Sequence, residues 1–189
     1  MPFTVYYGGC AITSQPDYYA PFCEADSPPE KGRLRSFAYI LKEYLPTLQG
    51  DPTDAGLWED GILDKKIIII PTIAGDYDGG SAVTGPGYGD TKETTVGYDH
   101  VITYRDPNYK TNAAFYNAIK YGRNWVPAWR TETQTQIADN AAQIIPKAPI
   151  SDDLTSDVTW NVEVRFSQPD IPVPFDTPDG IFVPFAYNP

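Results

Sequence analysis

Nineteen prolines, spread from Pro2 to Pro189, limit what this chain can fold into more than any other feature. Each lacks a backbone donor and has a fixed φ, so a proline costs about 3 kcal/mol inside a helix and a ladder bond inside a central strand. Fifteen glycines add further interruptions, and fourteen tyrosines favour the half-buried face of a strand. The expectation is a mainly β fold, a sandwich or barrel, with one flanking α-helix, a long glycine-rich loop and a proline-rich carboxy-terminal arm. With 189 residues, 41% of them apolar, the chain can build one domain with a real core, or at most two small ones. The division that best fits the pattern is a β-rich domain over residues 1–167 and an extended arm over 168–189.

Strand signals recur along the first part. Residues 5–12 read as a strand, followed by a loop over 14–31 that holds Pro16, Pro21, Pro28 and Pro29. Residues 32–45 fit two patterns. Leu34, Phe37, Leu41, Tyr44 and Leu45 make a helical stripe, while Phe37, Tyr39 and Leu41 alternate as in a strand. The aromatic content and strand-like surroundings favour the strand, and Pro46 ends either element. Thr53 and Asp54 predict a short helix to about Asp60, capped by Thr53 and stopped by Gly61. Ile67-Ile68-Ile69-Ile70 is the clearest buried strand, stopped by Pro71.

Residues 75–91 hold six glycines and predict a long loop of the kind that serves a function or is ordered by a partner, with Tyr77 and Tyr88 as its contact residues. A strand follows with Val96, Tyr98, His100, Ile102 and Tyr104 on one face. Thr111 can cap a helix whose stripe is Ala114, Phe115, Ala118 and Ile119, ended by Gly122. Residues 124–131 and 133–139 read as a hairpin and 143–145 as a short strand. In 155–167, Val158, Trp160, Val162, Val164 and Phe166 share one face. The arm beyond cannot supply central strands, yet it carries Ile171, Val173, Phe175, Ile181, Phe182, Val183, Phe185 and Tyr187. These eight need a surface to cover, on the chain's own body or on a neighbour, and are the candidate assembly residues.

Charge and motifs narrow the function. With 14 Lys and Arg against 25 Asp and Glu, the net charge is −11, and such a surface repels phosphate. Specific nucleic-acid binding is therefore disfavoured. Met1 to Tyr7 has no basic segment leading into a long apolar run, and the most apolar run is four residues, so neither export nor membrane spanning is expected. Cys10 and Cys23 read as small buried hydrophobes rather than a disulfide or half a metal site, and His100, the only histidine, is too remote to complete zinc ligation.

Gly85-x-Gly87-x-Gly89 lacks the glycine spacing and following helix of a phosphate loop. Asp76-x-Asp78-Gly79-Gly80 lacks the ligand pattern of a calcium loop and reads as a solvated acidic turn. His100 reads as a packed strand histidine, since no nucleophile motif accompanies it. Trp125, Trp129 and Trp160 fit core packing better than a sugar platform. No catalytic, cofactor or metal residue is assigned, and a non-enzymatic role is expected.

Three stretches carry a resemblance. They are Asp51-Pro52-Thr53-Asp54-Ala55-Gly56-Leu57-Trp58; Gly97-Tyr98-Asp99-His100-Val101-Ile102-Thr103-Tyr104-Arg105-Asp106 leading into Asn112-x-x-Phe115-Tyr116; and Asp157-Val158-Thr159-Trp160-Asn161-Val162-Glu163-Val164 followed by Pro172-x-Pro174-Phe175. In general style these resemble virion proteins of tailed bacteriophages, especially those of Bacteroidota hosts. The resemblance implies a repeated structural subunit, such as a tail-tube or head–tail ring protein. Such a subunit would assemble with itself into a ring in the host cytoplasm, meet other virion proteins, and let DNA pass through its lumen. Two other classes are a carbohydrate- or receptor-binding β-module and, less supported, a glycan-active enzyme. An exposed tryptophan-lined cleft would favour the first, and two carboxylates facing across such a cleft the second.

Overall fold

A computed structural model describes residues 32–87, 89, 92–122, 124–150, 152 and 157–182. The strand expected at 5–12, and both Cys10 and Cys23, lie outside the described residues. The fold is mainly β, in two antiparallel sheets with three short helices. In chain order the elements are β1 Ser36–Leu41, α1 Leu45–Gly50, α2 Ala55–Leu63, β2 Ile67–Ile70, β3 Ala74–Tyr77, β4 Ser81–Gly85, β5 Thr94–Asp106, α3 Ala113–Ile119, β6 Trp125–Arg130, β7 Gln134–Ile137, β8 Gln143–Lys147, β9 Trp160–Gln168 and β10 Phe175–Asp176. One sheet runs β10-β7-β6-β1-β2. The other runs β3-β5-β9-β8, with β4 pairing β5 beyond the end of β3.

The first sheet is buried on both faces at its centre. Cross-strand partners share a face, so Phe37 with Trp129 and Tyr39 with Ile68 point one way, while Ala38 with Ala128 and Ile40 with Val126 point the other. Phe37, Ala38, Tyr39 and Ile40 are all fully buried. Phe37 and Tyr39 face the second sheet, where Phe37 lies 4.9 Å from Tyr104, ring centre to ring centre. On the far side, α1, α2 and residues 181–182 supply Leu48, Trp58, Ile181 and Phe182, all buried. Burial on both faces is why residues 32–45 read ambiguously: alternation vanishes when neither face meets water.

A polar cluster ties the layers together. Tyr39 on β1 and Tyr104 on β5 share a hydrogen bond of 2.8 Å between hydroxyls, and the Tyr116 hydroxyl on α3 donates to Asp106 Oδ2 at 2.9 Å. Asn112 Nδ2 also donates to Oδ2, at 2.6 Å, and Asn108 N donates to Oδ1 at 2.8 Å. Burial drives all three phenols well above their ordinary pKa, so they remain neutral donors and acceptors.

Several local expectations need correction. Asp54, not Thr53, caps α2, its carboxylate accepting from Gly56 N at 2.8 Å, and Gly61 lies inside that helix. A Cβ on Gly61 would sit 2.5 Å from Ile67 Cδ1, so the glycine serves close helix–strand packing instead of a stop. Pro46 falls in the first turn of α1, where a missing N–H breaks no helical bond. On α3, Tyr116 and Ile119 face the core, while Ala114 and Ala118 are exposed. Among the described residues of the supposed loop over 75–91, 75–77 and 81–85 are strand, because β3 and β4 both find β5 as a partner.

Candidate functional site

Among the described residues, β4 and the start of β5 form a two-stranded ribbon whose side chains are mostly exposed. β5 has thirteen residues, but β9 pairs it only from Tyr98 onward and β3 only from Ile102 onward. Its first residues, Thr94 to Gly97, pair with β4 alone. The two strands extend past the sandwich, and Ser81 to Thr84 and Thr94 to Val96 are exposed. A two-stranded ribbon is at best marginal by itself, so one exposed on both faces gains its burial elsewhere. Val96 is 60% exposed and Val83 38%, and a register shift lies between Val83 and Thr84. Such irregularities bend a ribbon and re-aim its side chains. The sequence signal was present but unread: Ser81-Ala82-Val83-Thr84 and Thr94-Thr95-Val96 flank a glycine-proline cluster, the pattern of a hairpin.

The ribbon is rooted in an unusual clamp. Asp78 N donates to Val101 O at 3.1 Å, and the Asp78 carboxylate accepts from Gly80 N at 2.9 Å and Val101 N at 3.1 Å. This carboxylate is thus committed to backbone amides that turn the chain from β3 into β4. Gly79 and Gly80 have φ of +80° and +89°, a region L side chains rarely enter. A Cβ on Gly80 would also stand 2.5 Å from His100 Cε1, so glycine lets the backbone lie directly on the imidazole. His100 stacks on Phe166 at 4.8 Å and 14°, and Tyr77 Oη lies 2.8 Å from its Nδ1. Burial, assisted by the Asp78 charge, pushes the Tyr77 phenol up to about 12.

His100 is 1% exposed, and its Nε2 has no hydrogen-bond partner among the described residues. It is therefore the packed strand histidine that the sequence suggested. Burial lowers its pKa below 6.5, against a smaller opposing pull from Asp78 and Asp99. An unfolded chain then takes up a proton that the folded one refuses. The histidine's contribution is full above about pH 6.5 and is lost as pH falls below it. Urea titrations of wild type and His100→Phe are expected to differ: the loss of stability from about pH 6.5 to about pH 5 should be shallower in the variant. Equal slopes would place the acid sensitivity elsewhere.

The predicted contact residues are dispersed. Tyr77 does not project from a loop; it packs inward against Trp129 at 4.8 Å and His100. Tyr88, Val183, Phe185 and Tyr187 lie outside the described residues. Ile171 and Val173 are exposed, the latter by 78%. Phe175 is half-buried in the edge strand β10, paired with Thr135, and Ile181 and Phe182 are buried in the chain's own core. Gln168 closes β9, so residues 168–182 belong largely to the domain, and the division at 167 does not describe them. Only Ile171 and Val173, of the described arm residues, remain free to meet a neighbour.

Trp58, Trp129 and Trp160 are buried and Trp125 is half-buried against Tyr39, so they form no sugar platform. A groove of about 730 Å³ crosses the outer face of the second sheet past Arg33, Asp76, Arg105, Lys147 and Glu163. There Glu163 is already engaged by Arg165 and Lys147. Among the described residues no group of three or more His, Cys, Asp or Glu side chains could hold a metal, and no helix is long and apolar enough to cross a membrane. Compared with protein-family models, with curated proteins and with solved structures, the chain matches none.

Proposed function

We propose that this chain is a non-enzymatic structural subunit of a tailed-bacteriophage virion, with the tail tube as the favoured location and a neck ring as the alternative position. It assembles with copies of itself into a ring, inside the host cytoplasm, and DNA passes through the lumen. The observation that supports this reading is the ribbon of β4 and the start of β5, in which Val83 and Val96 are exposed among the described residues. Val173 and Ile171 add a second exposed apolar strip. Surfaces of this kind gain burial only from a partner, which ties their stabilisation to assembly. The net charge of −11, multiplied around a ring, supports a wall past which DNA slides without sticking. A carbohydrate-binding module draws no comparable support, because the tryptophans it would use are packed inside.

Light scattering and negative-stain microscopy test the proposal. The purified chain should form rings or tubes at high concentration, and it should show no affinity for duplex DNA at moderate salt. Replacing residues 83–95 with a two-residue turn should leave a folded monomer, since none of the described residues among them belongs to the core. A wild-type chain that stays monomeric, or tight salt-sensitive DNA binding, would remove the assignment.

A further inference from the structure

Open sheet edges invite pairing with another chain, and proteins guard them with charge, proline, shortness or a covering segment. Three edges of this sandwich carry such guards. β8 has Pro146 and Lys147, β10 is two residues long and preceded by Pro174, and β3 has Asp76 and an isolated bridge from Leu34 to Gly75. β2 carries none. Its four residues are all isoleucine, with no charge and no proline among them.

The hydrogen-bond parity shows which groups β2 turns outward. Leu41 N donates to Lys66 O at 2.8 Å, and the register pairs Tyr39 with Ile68 and Phe37 with Ile70. Bonded pairs in an antiparallel ladder recur at every second residue, so the N–H and C=O groups of Ile67 and Ile69 point away from β1. Among the described residues no backbone hydrogen bond reaches them. Alongside runs a groove of about 410 Å³, lined by Ile68, Ile69, Pro71, Asn108 and Phe115 among others. Its chemistry suits one kind of occupant: an extended, uncharged strand that brings backbone partners for Ile67 and Ile69 and small or β-branched side chains for the apolar floor.

β4 is a strand of that description. Ser81-Ala82-Val83-Thr84-Gly85 has no charge and no proline, is exposed through Thr84, and pairs with β5 on one side only. Its length of five residues matches the four of β2. β2 and β4 belong to different sheets of one chain, so they do not pair within it.

We propose that the outer edge of β2 accepts the outer edge of β4 from a second copy, so that the projecting ribbon of one subunit extends the five-stranded sheet of the next. Donor and acceptor are different surfaces, which makes the contact head-to-tail. Unless two copies exchange ribbons reciprocally, it repeats into a closed ring or an open filament. This inference rests on the self-assembly reading and names the two surfaces that would perform it.

The test uses the full chain with Cys10 and Cys23 replaced by Ser. Ile69→Cys and Val83→Cys variants are treated with a short bismaleimide, separately and mixed. A crosslinked dimer is expected only in the mixture, and a ladder of multimers from the double variant. Ile69→Pro removes the outward N–H from an edge strand, where proline is tolerated, and is expected to melt cooperatively yet lose ring formation. In hydrogen exchange, the Ile67 and Ile69 amides should be fast in monomer and protected in rings.

Rings that form without the mixed crosslink, or that form equally well from Ile69→Pro, would overturn the edge pairing and leave self-assembly standing. Protection of Ile67 and Ile69 in the monomer would overturn it too, by showing that the chain covers its own edge. A wild-type chain that never assembles would defeat both the edge pairing and the reading beneath it.

Discussion

A chain terminated after Gln168 is expected to be unfolded, or close to it, at ambient temperature. The fourteen residues 169–182 supply more of the core than their proline content suggests. Phe182 packs edge-on against Trp58 with ring centres 5.3 Å apart, and its carbonyl accepts from Ser36 Oγ at 3.3 Å. Ile181 is equally buried beside it. Further back, β10 pairs with β7, Thr177 N donates to Thr133 O at 2.9 Å, and Gln136 Nε2 donates to Pro172 O at 3.1 Å.

Removing a buried Phe side chain costs about 3–5 kcal/mol and a buried Ile about 2–5 kcal/mol. Whole domains hold only about 5–15 kcal/mol in reserve. Loss of both, with Trp58 uncovered, approaches that total. Phe182→Ala alone should lower stability by about 3–5 kcal/mol in urea melts, while Val173→Ser should stay within about 0.5 kcal/mol of wild type. A truncated chain that melts cooperatively near the wild-type temperature would restore the arm as a separable segment.

The second large effect is expected at Asp106, which is 1% exposed. Its two carboxylate oxygens together accept from Asn108 N, Asn112 Nδ2 and the Tyr116 hydroxyl. Hydrogen bonds to a charged group contribute about 1.5–3 kcal/mol each, and a buried donor left without an acceptor costs a further 1–3 kcal/mol or so. Asp106→Ala should therefore cost about 3–5 kcal/mol, less than the simple sum because the turn relaxes.

Tyr116→Phe removes one of the donors. A double-mutant cycle between the two should show coupling of about 1 kcal/mol or more, and strictly additive losses would mean the cluster is not a unit. The same cluster sets an alkaline limit. Burial raises the phenol pKa values of Tyr39, Tyr104 and Tyr116, so the folded state holds protons the unfolded state releases above about pH 10. Stability is complete below that pH and should fall as pH climbs past it.

What sequence alone could decide follows from how many neighbours a pattern requires. In β9, Trp160, Val162, Val164 and Phe166 alternate with more exposed residues because one face meets the core and the other faces outward. A two-residue period records that arrangement directly. The buried place of His100, which shares a face with Ile102 and Tyr104, was legible for the same reason. The four isoleucines of β2 announced a strand, but their order in the sheet did not follow: the run lies at an edge, with Ile68 and Ile69 only half-buried. A continuous apolar run looks the same at an edge or at a centre, since only pairing distinguishes them.

Tertiary structure decided the rest where the partner is distant in the chain. β3 and β4 each hold one glycine, and their strand character comes from β5, which supplies the ladder their own side chains do not specify. Asp78 is the exposed turn residue the sequence suggested, and what the fold adds is its distant partner, Val101 N, beside the local Gly80 N. Ile181 and Phe182 resemble arm residues until Trp58, more than 120 positions earlier, is seen to receive them. Short-range periodicity fixes which face of a segment is apolar. Which surface that face meets depends on the arrangement of the whole chain, because hydrophobic burial has no direction and rewards any partner that excludes water.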